Sequence, residues 1–315
     1  MIDEYPSFRP NFGSLAAGGN HFPGKCMEAF DYLAPKSLAE AYAHLGNGRS
    51  SLMLAGGTDV IVQLREGRRQ CDQLIDLKHI AEMVTHRFAA DGTLEIGAAA
   101  PLAELYENPE VARRLPGLVD AASIIGGIQV QSRASLGGNL CNASPAADSA
   151  PALMVLGARL VIGSSAGTRE LPVEEFFLGP GRNALQPGEI LLQVKIPPQP
   201  AHSGAFYLRF IPRNEMDIAV ASAGVRLVLN AAGDRIESAR LALGAVAATP
   251  LLVPADAIVG KPPTAETFAL AGEAAASAAR PIDDMRGSIF QRKKLAGVLT
   301  VRALNGALKR ATEAR

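Results

Sequence analysis

An α+β fold is what this 315-residue sequence predicts: two lobes, then a C-terminal α+β domain built on an antiparallel sheet. Three observations point there. Residues 27–80 combine a helix with short strands in a small α/β unit, and residues 81–200 hold more strand than helix, with no regular βαβ repeat. Beyond a proline-rich break, alternating apolar positions make a hairpin ahead of two alanine-rich helical stretches. A chain of this length forms two domains by the usual size relation and buries a sizeable core.

Taken in order, residues 1–26 are rich in Gly, Pro and Asn and carry no apolar h-region, so they read as a loose extension and not as a signal peptide. Ser37 caps a helix in which Glu40, three residues on, reaches back. That helix ends by Gly46-Asn47-Gly48. Leu52-Met53-Leu54 is a short buried strand running into Ala55-Gly56-Gly57-Thr58-Asp59-Val60, and residues 74–77 are another. From Met83 to Ala98 a hairpin turns at Asp91-Gly92. Pro101 opens a short helix over 102–107, since proline at the first helical position loses no bond. A helix over 116–125 stops at Gly126-Gly127, and a second glycine loop follows at Ser135-Leu136-Gly137-Gly138-Asn139. Residues 151–157 are helical, 159–162 a strand turning at 164–167, and 189–196 a strand closed by Pro197-Pro198.

The stretch 197–203 is the linker, which sets domains at 27–200 and 203–315, with the first domain's lobes at about 27–80 and 81–200. Val225, Leu227 and Leu229 then alternate with Arg226 and Val228, turn at 232–234 and resume at Leu241 and Leu243, a hairpin with one face buried. Helices follow over about 264–280 and 283–312. Val301, Leu304 and Leu308 stripe the last, and Arg292, Lys293 and Lys294 read as its solvated face.

Composition removes several function classes. Lys+Arg and Asp+Glu are both 31, so bulk electrostatics argue against nucleic acid or an anionic membrane as partner. No apolar run has the length of a membrane span. Cys26, Cys71 and Cys141 are dispersed, without CxxC or histidine at ligand spacing, which supports no metal site and implies a reducing, cytoplasmic location. No hydrolytic triad, Walker loop or helix-opening GxGxxG is present, and the five histidines lack carboxylates at recognisable spacing. No catalytic residue is assigned; a cofactor carries any chemistry.

What remains is a pair of hydroxyl- and glycine-bearing bends about eighty residues apart. Glycines where a strand ends let backbone approach a ligand, and successive N–H groups in such a turn form a donor nest for phosphate oxygens. Two such bends can grip the two halves of one diphosphate. Either stretch alone reads as a plain tight turn.

Ala55–Asp59, Ser135–Asn139, the following Ala143-Ser144-Pro145-Ala146-Ala147-Asp148, and Arg213-Asn214-Glu215-Met216-Asp217-Ile218-Ala219 come in the order found in one group of proteins. Over about residues 27–310 the chain resembles the FAD-binding (medium) subunits of the molybdenum hydroxylases, the group of carbon monoxide dehydrogenase and xanthine dehydrogenase. The resemblance implies a two-lobed PCMH/vanillyl-alcohol-oxidase-type FAD-binding domain. It implies that Gly56, Gly57, Gly137 and Gly138 hold the FAD diphosphate, flanked by Leu54, Ala55, Asp59, Val60 and Cys141, with side-chain bonds from Thr58, Ser135 and Asn139. Asp148 matches a carboxylate on ribityl or ribose hydroxyls, Ile190 and Leu191 match the strand over the adenine, Ile125 lines the same site, and Arg209 matches a cation near the isoalloxazine. The molybdenum cofactor and [2Fe–2S] clusters are expected on a large and a small partner subunit, in a dimer of heterotrimers that passes electrons through FAD to an external acceptor. The alternative is a stand-alone FAD-dependent reductase of the same superfold, similar to the enolpyruvyl-UDP-GlcNAc reductases.

Overall fold

A computed structural model of the protein describes residues 27–213 and 216–313; the expected loose extension at 1–26 lies outside them, as do Asn214 and Glu215. The first lobe runs β1 (Asp31–Leu33), α1 (Leu38–Leu45), β2 (Ser51–Leu54), α2 (Val60–Arg65) and β3 (Gln73–Asp76). Its strands form a parallel sheet in the order β1-β3-β2. Ser37 caps α1, its Oγ accepting the Glu40 amide at 3.2 Å, while Glu40 reaches back to the amide of Lys36 at 2.7 Å. β3, in the centre, is buried throughout. β2 is the sheet edge, and only Leu54 in it is buried, so the expected buried strand is half open. That open side matters below.

The second lobe begins with α3 (Ala81–Val84) and the hairpin β4 (His86–Phe88) and β5 (Leu94–Gly97), whose turn is closed by Asp91 Oδ1 accepting the Thr93 amide. Six short helices follow: α4 (Leu102–Tyr106), α5 (Pro109–Arg114), α6 (Pro116–Ala122), α7 (Ile128–Gln131), α8 (Leu136–Asn142) and α9 (Ser149–Leu156). Pro101 stands at the cap of α4, one place before the helix. The helix expected over 116–125 stops at Ala122, and the buried Gln131 side chain takes the Ser123 carbonyl at 2.8 Å. Then come β6 (Arg159–Ser164), β7 (Gly167–Pro172), β8 (Phe177–Gly179), β9 (Arg182–Asn183) and β10 (Ile190–Ile196). An antiparallel sheet of order β4-β5-β10-β6-β7 results, with β8 and β9 as a separate ribbon. The core of this lobe gathers Leu94, Ile96, Leu102, Leu118, Leu153 and Leu160.

The C-terminal domain is an antiparallel sheet, β11 (Ser203–Phe210), β12 (Ala221–Leu229), β13 (Ile236–Gly244) and β14 (Leu251–Val253) in that order, with α10 (Ala265–Ala278) and α11 (Ile289–Glu313). The odd-numbered residues of β12 join the core with Phe268, Ala303, Leu304 and Ala307 of the two helices. Its other face is covered too: a Cβ on Gly224 would stand 2.7 Å from the Pro151 carbonyl of α9. The expected one-sided burial is therefore two-sided, because the second lobe supplies a helix to the far face. α11 starts at Ile289, after an irregular stretch. Arg292, expected in solvent, is 5% exposed. Its Nη1 donates to the carbonyls of Val220 and Ala245 at 2.9 and 2.8 Å, and its Nη2 to Asp284 at 2.6 Å.

Candidate functional site

The half-open edge β2 faces the second lobe across a cleft of about 360 Å³, walled also by α2, α8 and the start of β10. Both glycine stretches open onto it, and they meet. A Cβ on Gly56 would fall 1.9 Å from the Arg133 carbonyl oxygen and 2.9 Å from Ala134 Cα, immediately before Ser135. A Cβ on Gly137 would fall 2.3 Å from the Ala98 carbonyl oxygen. These two glycines thus clear room for neighbouring backbone, where the sequence suggested room for a ligand. Gly57 has φ +79°, a left-handed conformation that favours glycine. Only Gly138 is comparatively free, its added Cβ meeting Ser135 Oγ at 3.1 Å and Ala55 Cβ at 3.9 Å.

The second stretch is not a loop but the first turn of α8, with Ser135 as its cap. Ser135 Oγ accepts the Gly138 amide at 3.1 Å, and the Ala98 carbonyl accepts the Gly137 amide at 3.0 Å. The donors there are largely spoken for. In the first bend, by contrast, the amides of Gly56, Gly57, Thr58 and Asp59 find no acceptor among the described residues. An unmet row of N–H groups beside a cleft is the condition for binding an anion.

Side chains reinforce that asymmetry. Asn139 Oδ1 accepts the buried Ser149 hydroxyl at 2.6 Å, which leaves the Asn139 NH₂ as the group to donate into the cleft. Lys78 Nζ holds the Ala55 carbonyl at 2.8 Å and Asp76 Oδ1 at 2.7 Å, while Tyr32 donates to Asp76 Oδ2 at 2.5 Å. Burial would push the Asp76 carboxyl up, but the Lys78 and Tyr32 bonds outweigh it and hold the group below its ordinary value. The same contact pushes the Tyr32 phenol up to about 12. Gln63 on α2 donates to Asn142 on α8 at 3.0 Å and ties the walls together. Cys141 touches the cleft, yet its buried surroundings push the thiol up to about 12 and keep it protonated. On the far wall β5 pairs with β10 only from Gln193 onward, so Ile190 and Leu191 present an edge not paired with β5 beside apolar side chains.

Of the residues expected at a cofactor, Ala55, Gly56, Gly57, Thr58, Asp59, Val60, Ile125, Ser135, Gly137, Gly138, Asn139, Cys141, Ile190 and Leu191 all line the cleft. Three do not. Leu54 is turned into the small core under β2 and β3. Asp148 and Arg209 are spent on each other: Arg209 Nη1 donates to Asp148 Oδ2 at 2.6 Å, and Tyr207 to Oδ1 at 2.6 Å, all three nearly out of solvent. Burial pushes the Asp148 carboxyl up against the pull of Arg209 and Tyr207. Asp148 also makes no side-chain cap on α9, although it stands at the cap position. Sequence reasoning missed Lys78, Gln63 and Asn142. The i, i+2 spacing of Asp76 and Lys78 at a strand end was the available signal for the first.

Residues 28–199 match the family of FAD-binding domains in molybdopterin dehydrogenases, and residues 206–307 the C-terminal domain of carbon monoxide dehydrogenase flavoproteins. The chain belongs to the FAD-binding medium subunits of the molybdenum hydroxylases. The carbon monoxide dehydrogenase medium chain of Hydrogenophaga pseudoflava is 32% identical over 284 residues, 89% of this chain and 98% of that one. A xanthine dehydrogenase FAD-binding subunit of Escherichia coli O157:H7 is 36% identical over 221 residues, 70% of this chain and 75% of its own. Among solved structures, carbon monoxide dehydrogenase from Hydrogenophaga pseudoflava superimposes with a TM-score of 0.84 at 32% identity, covering 90% of this chain and 98% of that one. Quinoline 2-oxidoreductase from Pseudomonas putida 86 gives 0.84 at 31%, covering 91% and 99%. For a medium subunit the cleft fits FAD on its own geometry: open amides for a diphosphate, a donor from Asn139, and apolar walls with an open strand edge for a ring.

Proposed function

We propose that this chain is the FAD-carrying electron-transfer subunit of a heteromeric molybdenum-containing hydroxylase or dehydrogenase, placed between [2Fe–2S] clusters of a small subunit and an external acceptor, with the molybdenum cofactor on a large subunit. The observation that carries it is the meeting of the two glycine bends on one cleft with the Gly56–Asp59 amides unmet. Bound there, FAD supplies one- and two-electron redox chemistry. The chain's own residues bind and orient. The amides of Gly56–Asp59 and the Asn139 NH₂ take the diphosphate, Thr58 adds a hydroxyl, and Ile190 and Leu191 cover the adenine by apolar contact and backbone bonds. Ile125 would line the same part of the site as Ile190 and Leu191.

Among the described residues no His/Cys/Asp/Glu cluster could hold a metal. The match to the flavoprotein C-terminal domain favours a subunit over a stand-alone reductase. We place the division between domains in the 197–203 segment, between β10 and β11, and the protein in the cytoplasm, the latter supported by Cys71 and Cys141, which form no disulfide among the described residues. Among the described residues no helix is long and apolar enough to cross a membrane. Purification with its partners should give three chains in a dimer of heterotrimers, with one FAD per copy of this chain by absorption spectrum. A colourless complex that binds no added FAD would refute the proposal.

A further inference from the structure

The cleft that receives FAD must balance the two negative charges of a diphosphate, and its charge inventory is thin. Its acids are Asp59 and Glu189, the latter held by Arg169 in two bonds of 2.7 and 2.8 Å. The first-turn amides of α8 are committed to Ala98 and Ser135, and Lys78 to Ala55 and Asp76. Among the described residues that line the cleft, Arg69 is the one basic side chain, and it forms no salt bridge with any described residue. The chain brings it there by doubling back after α2: the amides of Arg68 and Arg69 both donate to the Gln63 carbonyl, at 2.9 and 3.3 Å. Gln63 in turn bonds Asn142 across the cleft. The charge of Arg69 is felt at the Cys141 thiol, on the cleft side of α8.

Resting on the FAD reading, we propose that Arg69 is the counter-ion of the FAD diphosphate, a guanidinium at the cleft rim that complements the neutral amides of the Gly56–Asp59 bend. A guanidinium offers a phosphate group two parallel charge-assisted bonds, and one at a rim acts through partly screened charge. The full-length protein, stripped of flavin, is titrated at low and high salt with FAD and with riboflavin, which has no phosphate, following flavin fluorescence. Arg69→Ala should weaken FAD binding about tenfold, flatten its salt dependence and leave riboflavin binding unchanged, with Arg69→Lys restoring part of the loss. Wild-type FAD affinity and salt slope in Arg69→Ala would overturn the proposal, and so would equal weakening of FAD and riboflavin, which marks a purely structural role. If the wild-type protein binds neither, the cofactor reading itself falls, and this proposal with it.

Discussion

Gly56→Ala isolates what the first bend is built for. The added Cβ lands 1.9 Å from the Arg133 carbonyl oxygen, about 1.5 Å short of ordinary contact, and 2.9 Å from Ala134 Cα. Both neighbours are backbone, so no side chain can rotate away. The segment before Ser135 has to retreat from the first bend, and overpacking of this kind costs about 1–3 kcal/mol. For a chain of this size that is a fall in Tm of roughly 1.5–5 °C. Gly138→Ala is the contrast. Its Cβ needs only a few tenths of an ångström from Ser135 Oγ, and alanine is the better helix former by up to about 1 kcal/mol. It should melt at or above the wild-type temperature while binding FAD more weakly, because the methyl enters the cleft. Thermal melts of the flavin-free protein, paired with FAD titrations, separate the two. If Gly56→Ala melts like wild type and loses only FAD affinity, the loop-against-loop account is wrong and the glycine serves the ligand alone.

Three further outcomes follow from buried groups. Asp148→Asn strands the Arg209 charge in a site where both side chains are under a tenth exposed, and should cost about 3–5 kcal/mol in urea denaturation, against about 1–2 for Tyr207→Phe. Asp76, whose folded-state carboxyl is held below its unfolded value, contributes stability that is present above the unfolded pKa of about 4 and lost as pH falls through the folded one. Urea midpoints should therefore hold from pH 7 to 5 and drop on further acidification, by less in Asp76→Asn than in wild type. Arg292→Ala removes donors to Val220, Ala245 and Asp284 together and should lower stability by about 3 kcal/mol or more, where Lys293→Ala, in the same helix turn, should change it by under about 0.5.

How far the sequence reaches is clearest at the second glycine stretch. Ser135-Leu136-Gly137-Gly138-Asn139 was legible as a site and misread as a loop, because two glycines outweigh a helix signal that only the Ser135 cap and the packing of Leu136 and Leu140 supply. The Ser37 cap, the Asp91-Gly92 turn, the strand at β12 and the stripe on α11 were read correctly, since each is written in residues a few positions apart. Most of the residues expected at a cofactor line the cleft, although much of its wall was not singled out in the sequence.

By itself, then, the sequence determined the types of most elements, the two bends and the family to which their order belongs. Tertiary structure decided which atoms those bends accommodate: Arg133 and Ala98 backbone at Gly56 and Gly137, and an open row of amides only at the first bend. It also decided that Asp148 answers Arg209 across 61 positions, that Tyr32 answers Asp76 across 44, and that Arg292 is sealed against Val220 across 72. Local patterning reports which face of an element is apolar. The partner of a buried charge depends on which distant segment packs there, and desolvation makes that partner obligatory only once the fold has closed.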